Sequence, residues 1–257
     1  MSSILYLDFI LIGALYPLFF FCHTKDVVDP DFYRFNIGMA YVPAGVVLLI
    51  LWFQGIPEET KILIGIWMVL ALAVTAVSWK REIIRDSLFI VPATAGLLVL
   101  VAFQRHVRPM DAGSFLASVL GGLLLCASIY AVVLGHWYLS VQKLSIRPLR
   151  NAARVLVALL VLRLIWDAYA FAFRPVVFEG DMLIPMSEYL QTYEGFLLWI
   201  ALIFGTVFPL IVGFFVLGTV KIESTQSATG LLYVVLISML MGELAYKYYL
   251  IRYGLAL

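Results

Sequence analysis

Eight stretches of this chain stay apolar long enough to cross a bilayer, and they leave little sequence over. They run 3–22, 37–54, 62–79, 88–104, 115–139, 152–173, 196–219 and 228–250. At ~1.5 Å per residue, a helix needs about 20 mostly apolar residues to span the hydrocarbon core. Within hydrocarbon every backbone N–H and C=O must be satisfied by the protein itself, and runs of this length do that as helices. The expected fold is an all-α, polytopic membrane protein: one domain, residues 1–257, built as a bundle of about eight transmembrane helices. Composition agrees, with 64% hydrophobic and 13% charged residues, where soluble domains average about half and a quarter.

Most linkers are short and polar, with no room for a separate soluble domain. The longest, 174–195 ("RPVVFEGDMLIPMSEYLQTYEG"), is expected to carry a short helix along the interface. Arg108-Pro109, Arg147-Pro148 and Arg174-Pro175 fall at span ends, where proline stops a helix and arginine anchors at headgroups. Pro17, Pro43, Pro92 and Pro209 fall inside spans and predict kinks. The first twenty residues lack a basic leader and a small-residue cleavage site, and Asp8 interrupts them. They read as a retained first span.

Of the 17 lysines and arginines, Arg163 and Lys247 lie deep within spans. The other fifteen divide ten to five between the two faces, which predicts a cytoplasmic (inner) membrane protein with the ten on the cytoplasmic side. With eight spans, both termini then face outside. The net charge of +1 comes from residues in short loops that form no basic patch, so membrane lipid is the expected partner surface and nucleic acid is not. Cys22 and Cys126 fit no zinc, haem or redox spacing and read as small buried hydrophobes.

Five charged residues interrupt the apolar runs: Asp8, Arg163, Asp167, Glu243 and Lys247. Intramembrane charge is costly and by default marks a pathway or site that faces the bundle interior. Arg163 and Asp167 in "LRLIWDAY", like Glu243 and Lys247 in "GELAYK", are four apart and share a helix face. Asp167 lies roughly 10 Å before the end of its span, Glu243 about 12 Å before the end of its own, and Asp8 at a similar or shallower depth. These five are the expected proton-transfer residues. The plainer reading, that each pair neutralises itself and locks helices together, stands beside that one.

A second polar cluster is expected at the other face. His23 in "FFFCHTKD" and His136 in "VLGHWYLS" end two spans that run in the same direction. A near-neutral imidazole can exchange a proton with a quinone carbonyl or ligate haem. Gly135 leaves space beside the flat wall of Trp137 and Tyr138, so His136, His23, Trp137 and Tyr138 are the expected quinone-binding residues. Haem is the weaker cofactor candidate, because two histidines are few for it. The plainer reading is an aromatic belt with a polar tip. His106, at the opposite face, reads as a solvated loop residue. No P-loop, H-E-x-x-H, G-x-S-x-G or C-x-x-C-H motif is present, so the sequence leaves open whether the chain is an enzyme in its own right.

The eight-span plan and the ending "GELAYKYYLIRYGL" resemble the membrane anchors of bacterial molybdenum and iron–sulfur oxidoreductases, the DmsC/NrfD type. Gly242, Glu243, Lys247, Tyr248 and Tyr249 match the order in which DmsC-type anchors close; the glycine- and alanine-rich first helix common in NrfD-type anchors is missing. The resemblance implies an anchor that binds quinone or quinol between helices and exchanges electrons with an iron–sulfur or haem-containing redox subunit. The expected function is therefore that of a quinone-reactive membrane subunit of a respiratory-type complex, handling the coupled protons. The alternative is a proton-coupled small-molecule transporter that uses the charged layer.

Overall fold

In a computed structural model, residues 2–22, 30–79, 86–108, 111–141, 144–174, 176–178 and 182–257 are described. Eight helical spans are long and apolar enough to cross a membrane, and the chain is an all-α polytopic bundle. The first is α1 (Ser2–Leu15), extended by a 3-10 turn (Tyr16–Cys22) that starts just before Pro17. The next are α2 (Pro30–Trp52), α3 (Glu58–Trp79) and α4 (Ile90–Val107). Then come α5 (Ala112–Ser140) and α6 (Arg147–Phe173). A linker follows with a hairpin, β1 (Val176–Phe178) and β2 (Met182–Ile184), and the single-turn α7 (Met186–Tyr189). The seventh span is α8 (Tyr193–Leu202), a π turn (Ile203–Val207) and α9 (Phe208–Lys221); α10 (Thr225–Tyr253) is the eighth.

The ends of these helices are written in side chains. Asp111 caps α5 by accepting the Ser114 backbone N–H at 2.8 Å, and Thr192 caps α8 by accepting that of Gly195 at 3.0 Å. Gly254 stops α10 in the left-handed region (φ 71°), where a side chain would be strained. Pro148 lies in the first turn of α6, as its Arg-Pro pair suggests. The second span is longer than the sequence pattern indicates. It begins at Pro30 because Asp31 and Arg34, polar enough to read as loop, pair at 2.7 Å across the first turn. The 174–195 linker differs too: its helix is only one turn long, and an antiparallel hairpin pairs Val176 with Ile184.

α5 is the most enclosed span, 72% buried against 22% for the peripheral α3. It lies against α1, α6 and α10; α1 also contacts α2 and α4, and α9 sits between α6 and α10. Outward faces carry Val42, Leu49, Ile62, Val69, Leu98, Ile165 and Phe215, the surface that lipid covers. Lipid is as apolar as these helices, so close backbone packing and polar contacts hold them together. Two spans meet backbone to backbone at Gly242 of α10, where an added Cβ would collide with the Gly205 Cα in the π turn.

Gly242→Ala is therefore expected to destabilise the bundle by ~1–3 kcal/mol, the usual range for overpacking. Gly218→Ala, with open space at its Cβ, should leave stability unchanged. Thermal unfolding of the two variants in detergent checks this.

Candidate functional site

Glu243, Tyr246 and Lys247 lie on one face of α10, because residues three and four apart stack along a helix. That face meets Asp8 of α1 and Arg163 and Asp167 of α6, and all five charged side chains are at least nine-tenths buried. Lys247 Nζ stands 2.6 Å from Asp8 Oδ1 and 2.7 Å from Glu243 Oε2. Glu243 Oε1 lies 3.8 Å from Arg163 Nη1, and Arg163 Nε lies 3.1 Å from Asp167 Oδ1. The result is one alternating string, Asp8–Lys247–Glu243–Arg163–Asp167. The two i,i+4 pairs of the sequence are present, and two contacts between helices join them to each other and to Asp8.

Neutral groups complete the string. Thr206 Oγ1 donates to Asp167 Oδ2 at 2.6 Å, and Tyr246 Oη donates to the same oxygen at 2.9 Å. The Arg163 guanidinium lies 3.9 Å above the centre of the Tyr246 ring, a cation–π contact. Thr206 belongs to the π turn, which aims it at α6; π turns often mark functional positions. On α5, Gly121 lets the Glu243 carboxylate lie against the helix, since a Cβ there would overlap Glu243 Oε2.

Three carboxylates face two cations in this string, so full ionisation would leave one negative charge with no partner in a region without bulk water. A bound proton or a small cation would balance it. Glu243 Oε1 and Arg163 Nη2 make no hydrogen bond among the described residues. Both residues line a cavity of about 10 Å³ with Ala117, Ser118, Tyr246 and Lys247. That is close to the least volume that holds one water, about 10–15 Å³. No group of three or more His, Cys, Asp or Glu is placed to hold a metal ion among the described residues.

The second expected cluster is more open. His136 is exposed near the end of α5, and its carbonyl lies 3.5 Å from Ser140 Oγ. Trp137 packs edge-on to Phe32 with ring centres 5.4 Å apart, and Tyr138 Oη donates to the Ser145 carbonyl. His23 lies outside the described residues. His106 is exposed, in the last turn of α4 and not in a loop.

An apolar slot of about 100 Å³ between α2 and α3 was not legible in the sequence. Tyr41, Leu48, Trp67, Met68 and Thr75 line it, and Tyr41 Oη and Trp67 Nε1 make no hydrogen bond among the described residues. Tyr246, Thr206 and Gly121 were missed as well. Only Tyr246 carried a signal, sitting between Glu243 and Lys247 on their shared face. Compared with family models, curated proteins and solved structures, the chain matches none.

Lys247→Met removes the cation between two buried carboxylates, strands Asp8, and is expected to remove ~3–5 kcal/mol of stability. Adding Asp8→Asn should recover most of that loss, since Glu243 keeps Arg163 beside it. The yield of monodisperse protein and its unfolding temperature report both effects.

Proposed function

We propose that this chain is an integral membrane subunit of a redox complex, binding quinone or quinol and exchanging electrons with an iron–sulfur or haem-containing partner subunit. In this reading the Asp8–Lys247–Glu243–Arg163–Asp167 string stores and passes the coupled protons. The observation that carries it is the odd negative charge of a fully buried, continuous string. A lock between helices requires only matched pairs, whereas a carboxylate in excess gives a site for an exchangeable proton. Reducing a quinone consumes two electrons and two protons, so a proton store inside the bundle has a use.

The quinone class rests on the resemblance of the 242–249 segment to DmsC/NrfD-type anchors. Two features are compatible with it. His136 is exposed, where a ligand diffusing in the membrane can meet it. The α2–α3 slot offers the Tyr41 hydroxyl and the Trp67 N–H as donors for ring carbonyls. The ten-to-five distribution of basic residues orients the string towards the outer half of a cytoplasmic membrane, with both termini outside.

One observation favours the transporter reading: the seventh span is interrupted by its π turn and Pro209, beside Thr206 and Asp167. Against it, the cavity at the string admits about one water and no larger solute.

In the complex purified from native membrane, Asp167→Asn is expected to slow quinone-dependent electron transfer by roughly 100-fold, the low end for loss of a positioned proton-transfer group. His136→Ala should lower the same rate if the quinone docks there. Unchanged turnover in both assembled variants, or substrate uptake by vesicles holding this chain alone, would sink the redox reading.

A further inference from the structure

The buried string is not equally remote from both ends of the bundle. Towards the end marked by Arg108, Asp111 and Arg174, polar groups follow one another along a single face of α5. Asp111 has a side chain 62% exposed, stands 3.5 Å from Arg174, and accepts the Ser114 hydroxyl at 2.5 Å. Its hydrogen bonds from Ser114, followed by the nearby Arg174 charge, hold its carboxyl below the usual range, although partial burial opposes them. One turn deeper, Ser118 Oγ donates to the Ser114 carbonyl at 2.9 Å and accepts from Gln104 Nε2 at 2.6 Å.

Two small cavities bracket that pair. The outer one, about 20 Å³, is lined by Gln104, Arg108 and Ser114 with Leu7, and the buried Gln104 Oε1 makes no hydrogen bond among the described residues. The inner one is the 10 Å³ cavity at Glu243, Arg163 and Lys247, and Ser118 lines it. Each has room for about a water, with polar partners to hold it. In the other direction Leu11, Leu124, Leu160 and Met239 are all fully buried and apolar. The hydroxyls of Ser128 and Ser238, farther along, are bonded to the carbonyls of Leu125 and Phe204.

We propose that Asp111, Ser114 and Ser118, with a water in each cavity, form a one-sided proton-access route to Glu243. This rests on the reading of the string as a proton store. A proton collected at the Asp111 carboxylate passes by way of the Ser114 hydroxyl and the outer water to Ser118. Each hydroxyl or water releases one proton as it accepts another, and the proton ends on Glu243 Oε1. The Gln104 amide orients the outer water and Ser118 without carrying the proton. Asp8 of α1, Arg163 and Asp167 of α6, and Tyr246 and Lys247 of α10 surround the acceptor and set its affinity.

The test uses the full chain in lipid bilayers and infrared spectroscopy of the protonated-carboxyl C=O band, followed after a switch from H2O to D2O. Glu243→Gln identifies the band. Ser118→Val and Ser118→Thr have the same shape, but only the second keeps a hydroxyl. The route requires Ser118→Val to slow the isotope shift by roughly 100-fold while Ser118→Thr exchanges as the native protein does. Asp111→Asn, which keeps the α5 cap, should slow it as well and serves where Ser118→Val does not fold. A band present but exchanging equally fast in Ser118→Val and Asp111→Asn overturns the route alone. Absence of any band removed by Glu243→Gln overturns the route, and absence of a protonated-carboxyl band from the string altogether overturns the proton store with it.

Discussion

Lys247 between two carboxylates is the contact on which the arrangement of helices depends. Placing such a cation within a span costs up to ~2.5–3.5 kcal/mol, the insertion-scale value at a helix centre, and counter-charges within reach lower the cost. Glu243 comes from the same helix, but Asp8 comes from the first span of the chain, more than two hundred residues away. Arg163 makes the matching demand on α6, with Asp167 on its own helix and Glu243 across the gap. Once α10 is the common partner, α1 and α6 have to flank it. α5 fills the space between them, thinned by Gly121 where Glu243 needs room.

A buried ion pair is weak evidence for stability, because desolvation offsets much of the attraction. Its stronger effect here is on specificity. Apolar helices in lipid can slide and rotate against one another at little cost, while a string of five charges fixes depth and rotation on three helices together. The same string divides the bundle lengthwise. Leu11, Leu124, Leu160 and Met239 pack on one side of it; Gln104, Ser114 and Ser118 line the other. Any small polar species that reaches the charges therefore has a favoured direction of approach, set by side chains that cost little individually.

The eight spans were legible in the sequence because length and apolarity are local properties. The two i,i+4 pairs were legible for the same reason: four residues on a helix are one turn, whatever surrounds them. The reach of Lys247 to Asp8 was suggested by similar depths, yet depth does not choose neighbours. Thr206 was invisible, because its role depends on a π turn that no period of 3.6 residues announces. The start of α2 was obscured by Asp31 and Arg34, whose charges imitate a loop while pairing along the helix. The hairpin in the linker joins Val176 to Ile184 within a stretch too short and mixed for a strand pattern. His136 kept its predicted place at a span end, but the slot beside Tyr41 and Trp67 lies between two helices, α2 and α3, and composition does not encode how they pack.

The π turn also makes the seventh span a helix with a step in its phase. A residue added to a turn of 3.6 advances everything after it by about 100° around the axis. A wheel drawn through all of Tyr193–Lys221 as one regular helix would thus misplace the faces of one half. The halves share one neighbour and differ in another: both lie against α10, but α9 also reaches α6, where a Cβ on Gly213 would come within 3.0 Å of Val157. The span behaves as two short helices joined end to end. Each sets its own face against α10, α9 meeting α6 as well, and the joint between them is where Thr206 meets the buried charges.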